Sequence, residues 1–230
     1  MIVPAFAATY PIWKDGTFAK KFVDVLSVFA YLIPVDYQDG VTVTFLIIYS
    51  IVILVFGAFL CILAHYFSAK ATLPILVPHF IVIFCSTYGF IMYTPATALL
   101  GRYLARIITG KVQESLPFAL SILLISLIAY VSLGIILRNL ISISITFRPM
   151  SLMTVTYRTA FANILAPLSV TFYIAFGSTL PKIGRIVCTV LAIFSYIFLN
   201  YSSIIGGSCV NMNHDAAICA TGISGAIVLT

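Results

Sequence analysis

Val41 to Phe67 reads VTVTFLIIYSIVILVFGAFLCILAHYF, 27 residues without Asp, Glu, Lys or Arg. A helix needs about 20 mostly apolar residues to cross the hydrocarbon core of a bilayer. The same run in water would expose far more apolar surface than a soluble protein tolerates. The chain is 62% hydrophobic and 8% charged, whereas soluble domains carry about 25% charged residues. A single water-soluble globule is thereby excluded, and the partner the sequence calls for is a lipid bilayer. The net charge of +6 does not point to nucleic acid, because the 12 Lys and Arg stand singly between apolar runs. Such placement orients helices in a membrane.

Taken in order, the chain predicts an all-α, polytopic transmembrane bundle with five complete spans and a sixth cut short. Residues 1–40 form a cytoplasmic or interfacial N-terminal segment, and residues 41–230 the transmembrane domain. Within the first segment Thr17–Leu32 reads as a helix. Phe22, Val25, Leu26 and Phe29 recur at helical spacing, and Pro34 ends the run. The helix suits either the headgroup plane or a place against the bundle. Span one is Val41–Phe67. Lys70 is the only formal charge between Val41 and Leu100, so a very short connection makes spans one and two an antiparallel hairpin. Span two covers Leu73–Tyr93, with Pro78 expected to kink it. Gly101–Glu114 reads as the first polar break, its Arg102 and Arg106 sharing a face turned toward lipid phosphates. Span three is Leu116–Leu137.

Residues 139–157 are ambiguous. Ile141, Ile143, Ile145 and Phe147 alternate with Ser142, Ser144 and Thr146, a strand period that allows a small β-hairpin outside the lipid. An interfacial helix extending span three or preceding span four competes with it. Span four is Phe161–Leu180 and span five Ile186–Ile205. Ala216–Thr230 is uncharged but only 15 residues long, about 22 Å as a helix. It reads as a sixth span cut short, and the chain as the start of a longer protein.

Lysine and arginine set the orientation. Lys14, Lys20, Lys21, Arg102, Arg106, Lys111, Lys182 and Arg185 fall on one side of this topology, eight against four on the other. The positive-inside bias then puts the N-terminus in the cytoplasm, with the plasma membrane as the expected location. Arg138, Arg148 and Arg158 lie on the poorer side and dissent.

Catalytic chemistry is thin. No Walker loop, HExxH, GxSxG or glycine-rich dinucleotide loop occurs, and no cofactor or metal set is called for. Cys61, Cys85 and Cys188 lie in apolar runs and read as small buried hydrophobes. Cys209 and Cys219 are candidates for a disulfide at the outer surface. His65 and His79 stand near the ends of adjacent spans, where they either meet across the hairpin or serve as interfacial polar groups. Ala217, Thr221 and Gly225 recur every four residues, a spacing that lets a partner helix approach closely.

The aromatic-rich spans, TPATALLGRYLARI at Thr94–Ile107 and ITFRPMSLMTVTYRT at Ile145–Thr159 resemble the N-terminal membrane regions of large protist signalling proteins. These are the tiny-macrocysts-like, PAS-linked and nucleotide-cyclase proteins of trichomonads and ciliates. The resemblance implies an anchoring and sensing region of a larger signalling protein, and it carries over no catalytic residue. The alternative is a small transporter or channel, which needs a polar path through the spans.

Overall fold

The structure, a computed structural model, describes residues 18–31, 38–67, 74–112, 114–143 and 157–206. Every regular element among them is a helix: α1 (Phe18–Tyr31), α2 (Gln38–Phe67), α3 (Leu76–Ser86), a π-helical turn (Thr87–Ile91), α4 (Tyr93–Ile108), α5 (Leu116–Ile143), α6 (Tyr157–Ser178) and α7 (Lys182–Gly206).

The 30 residues of α2 rise about 45 Å. Leu46, Tyr49, Ile53 and Phe56 are buried at helical spacing on one side, while Ile47, Ile48, Ile51, Leu54, Val55 and Ile62 are exposed on the other. The same division runs along α5. Ile122, Ala129, Leu133 and Leu137 face inward, and Leu120, Leu124, Ile128, Val131 and Ile135 outward. A soluble helix bundle would place polar residues on those outward faces. Here the outside is as apolar as the core, as helices facing hydrocarbon require.

Two helices among the described residues are long and apolar enough to cross a bilayer, Gly40–Tyr66 and Leu116–Asn139. A third is reached if Leu76–Gly89 and Tyr93–Ile108, bent by 42°, count as one span. Five spans of that kind are therefore more than these residues display. The second apolar run is broken, and the apolar stretch of α6, Ile164–Ser178, is shorter than a span.

The break corrects the expectation for Pro78. That proline lies in the first turn of α3, where its missing N–H leaves no helical bond unmade. The bend comes instead at Met92, just ahead of Pro95. In a continuous α-helix Pro95 would offer no N–H to the Ile91 carbonyl and would crowd it. The chain widens there into a π turn, with the Met92 amide donating to the Thr87 carbonyl at 3.0 Å.

The supposed polar break at Gly101 is also corrected. Helix α4 continues through it to Ile108, and every residue from Pro95 to Tyr103 is buried. This helix touches α1, α2, α5 and α6, so it is the hub of the bundle. Small residues permit the crowding: a Cβ on Gly101 would lie 2.9 Å from the Phe172 carbonyl oxygen of α6.

Aromatic rings join α2 to α3. Phe59 meets Phe80 at 5.8 Å, Phe56 stacks on Phe84 at 3.7 Å, and Tyr49 meets Tyr88 at 6.4 Å. Rising numbers on one helix pair with falling numbers on the other, so the two run antiparallel, as the short connection requires. This register puts His79 about level with Phe59 and Leu60, one or more turns from the level of His65. The His79 Nδ1 lies 2.8 Å from the Ile75 carbonyl of its own helix.

Helices α6 and α7 form the tightest pair, joined through Thr179, Leu180 and Pro181. A Cβ on Gly177 would stand 2.9 Å from Cys188 Cβ, and Ser195 donates to Ser169 across the pair at 3.2 Å. Cys85 and Cys188 are buried as expected, whereas Cys61 is exposed on the outward face of α2. In the ambiguous segment, residues 139–143 are helical and belong to α5, which removes the first strand positions of the hairpin. The rest of it, 144–156, lies outside the described residues.

Helix α1 matches its expected bounds within one residue and packs against α4. Phe18, Phe22 and Val25 point outward, while Lys20 and Asp24 are half-buried. An apolar face turned away from the bundle suits a helix lying at the edge of a bilayer.

Candidate functional site at one end of the bundle

Three chain segments meet at one end of the molecule. The first is the connection from α4 to α5. Gly110, at φ 66°, ends α4 in the left-handed conformation that glycine adopts without strain. Its amide donates to the Ile107 carbonyl at 3.2 Å, and the Lys111 amide reaches back to the Arg106 carbonyl at 3.0 Å. This paired pattern satisfies carbonyls that a helix end leaves open. The second segment is the α6–α7 turn, where the Leu180 amide donates to the Gly177 carbonyl at 3.1 Å and the Arg185 amide to the Pro181 carbonyl at 3.0 Å. The third is the first turn of α2, at Gly40 and Val43.

Between them lies a cleft of about 870 Å³. Arg106, Lys111 and Arg185 line it against the single carboxylate of Glu114, which leaves two positive charges in excess. Thr109, Ser178, Thr179 and Tyr103 add hydroxyls to the wall; those of Thr109, Ser178 and Thr179 donate to the Ala105, Ala175 and Phe176 carbonyls at 2.9, 2.7 and 3.1 Å. Tyr103 is 1% exposed, and its hydroxyl has no hydrogen-bond partner among the described residues. The Arg185 Nε is buried in the same condition. Helices α2, α5 and α7 all begin at this end, so three positive dipole termini add to the side-chain charge, partly offset by the ends of α4 and α6. Such an arrangement is chemically suited to an anion.

The residues singled out in the sequence as topology markers separate here. Arg106, Lys111 and Arg185 become walls of the cleft, and Lys182 is exposed at the same end. Arg102 does not share a lipid-facing surface with Arg106. It is 7% exposed inside the bundle, one helical turn further from the rim. Lys20 and Lys21 belong to α1. Lys14, Cys209, Cys219, Ala217, Thr221 and Gly225 lie outside the described residues. Sequence reasoning missed Tyr103, Thr109, Ser178 and Thr179. The one available signal was Thr109-Gly110-Lys111, a helix stop that turns the chain back over its own end.

A second cavity, about 470 Å³, opens between α4, α5 and α6. Leu100, Leu127, Val131, Leu168 and Phe172 make it mostly apolar, with the Thr97 and Tyr130 hydroxyls 2.9 Å apart at its wall. Tyr130 also stacks on Tyr93 at 4.4 Å. Among the described residues no three His, Cys, Asp or Glu side chains gather as a metal site would require.

Fold and site together are those of a helical protein with two helices long and apolar enough to cross a membrane and a cationic cleft at the ends of its helices. No protein-family model, curated protein or solved structure matches the chain.

Proposed function

We propose that this chain is the membrane-anchoring and sensing region of a signalling protein, with five spans and a cytoplasmic N-terminus. The observation that carries the reading is the place of the cleft. It is walled by the last turn of α4, and α4 touches α1, α2, α5 and α6. An anion drawing Arg106 of α4 toward Arg185 of α7 would bear on the helix that α1, α2, α5 and α6 pack against. Sensing requires such a difference in contacts between bound and free states.

The packing at mid-depth favours a sensor over a conduit. Ile53, Ala129, Leu133 and Ile174 are wholly buried. The Ser50 hydroxyl donates to Ser126 at 3.2 Å, so these hydroxyls bind one another across helix contacts. The test is a flux assay on the purified chain in liposomes, with inorganic ions, phosphate and small organic anions as solutes. Leak-level flux of all of them is the expected result. Saturable flux of any one would overturn the sensing reading in favour of transport.

A further inference from the structure

The cleft has a chemistry more specific than positive charge. Two guanidinium groups, an ammonium and the Tyr103 hydroxyl match a donor set that binds phosphate oxygens: planar forks from Arg, a point charge from Lys and a hydroxyl donor from Tyr. Two donors in this wall, the Tyr103 hydroxyl and the Arg185 Nε, are buried and have no acceptor among the described residues. A buried donor left without an acceptor is destabilising. Two such donors beside one cleft indicate that an acceptor-rich group belongs there. A carboxylate offers two oxygens, and a terminal phosphate offers three.

Depth in the membrane identifies the source of the phosphate. The candidate spans begin at Gly40 and Leu116, and the bent pair ends at Ile108. The cleft is lined by Gly40, Thr109, Lys111 and Glu114, so it lies where hydrocarbon gives way to headgroups. Its entrance stands among lipid phosphates whose local concentration no soluble metabolite approaches.

We propose that the cleft is a binding site for the terminal phosphate of an anionic phospholipid headgroup. In it Arg106, Lys111 and Arg185 hold the phosphate oxygens, and the Tyr103 hydroxyl donates to one of them. The proposal rests on the sensing reading only in naming what is sensed. The binding itself stands on the cleft alone.

The test uses the full chain in nanodiscs of phosphatidylcholine, with phosphatidic acid, phosphatidylglycerol or no anionic lipid added, and reads lipid retention by native mass spectrometry. Phosphatidic acid carries a terminal phosphate, and phosphatidylglycerol a diester of lower charge. Preferential retention of phosphatidic acid is expected, with at least a tenfold loss in the Lys111→Gln, Arg185→Gln double variant. Tyr103→Phe removes a hydroxyl that bonds nothing else among the described residues. It should not lower the melting temperature, and it should weaken retention several-fold. Lys182→Gln, exposed at the same end, should change retention by less than twofold.

Equal retention of both anionic lipids, or an equal loss in Lys182→Gln, would reduce the effect to general surface charge and overturn the proposal. A separate arm adds glycerol 3-phosphate to the phosphatidylcholine discs. Cleft-dependent binding of that soluble phosphate without retention of phosphatidic acid would overturn the lipid source. The two readings fail separately. Saturable flux with intact retention would remove the sensor and keep the cleft site, whereas leak-level flux without retention would remove the cleft site alone.

Discussion

Replacing Gly101 by leucine should lower the melting temperature of the purified protein by about 10 °C. The first added atom, Cβ, would already stand 2.9 Å from the Phe172 carbonyl oxygen. That contact is with backbone, so no side chain can rotate away to relieve it. Overpacking a tight contact costs about 1–3 kcal/mol, and three further carbons put the change at or beyond the upper end. In a chain of this size each kcal/mol shifts the midpoint by about 2–4 °C. The effect should spread, because α4 cannot move off α6 without disturbing its contacts with α1, α2 and α5. Helices in lipid gain little from apolar burial against each other, so close backbone approach at small residues is what holds them together. Gly57→Ala is the matched control, since nothing lies within 4 Å of its added Cβ. There the better helix propensity of alanine should stabilise by up to about 1 kcal/mol. A Gly101→Leu midpoint within a degree or two of the wild type would mean that α4 and α6 are not packed as described.

The second large effect concerns which way α5 faces. Leu133→Ala should cost about 2–5 kcal/mol, the range for removing a wholly buried leucine. Leu133 is 0% exposed and sits in the cluster formed with Tyr49, Ile53, Ala129 and Leu137. Its neighbours on four helices cannot all close over the space left behind. Leu124→Ala removes the same atoms from a position 62% exposed on the same helix. Lipid chains are fluid and fill the gap, so under about 1 kcal/mol should be lost there. The difference, read by unfolding in lipid nanodiscs, isolates inside from outside without changing side-chain chemistry. Equal costs at the two positions would overturn the assigned face.

These expectations show which physics a linear sequence carries. The long helices were legible because hydrocarbon imposes a simple requirement, length without charge, and α2 and α5 satisfy it in plain view. The ends of α1 were legible from Thr17 and Pro34, which act locally. What the sequence concealed is α4. Its buried residues include Tyr93, Leu99, Leu100 and Tyr103 beside the small Ala98, Gly101 and Ala105, but Arg102 and Arg106 gave the stretch the look of a loop. The bend was misplaced for a related reason. Pro78 and Pro95 look alike in sequence, and only their distance from a helix start decides which one interrupts bonding. The cleft was legible in part: Arg106, Lys111 and Arg185 were marked, but as signals of topology. That they converge depends on the antiparallel return of α5 and α7, a long-range property that no local pattern contains.

The central claim is that α2 crosses the membrane and delivers the cleft to one side. Labelling of single cysteines with a membrane-impermeant maleimide tests it, in proteoliposomes of a variant with Cys61, Cys85, Cys188, Cys209 and Cys219 replaced by serine or alanine. Lys111→Cys and Ser178→Cys report on the cleft end, and His65→Cys on the far end of α2. The account requires the first two to label from the same side and the third only from the opposite side. Labelling of all three from one side would contradict it.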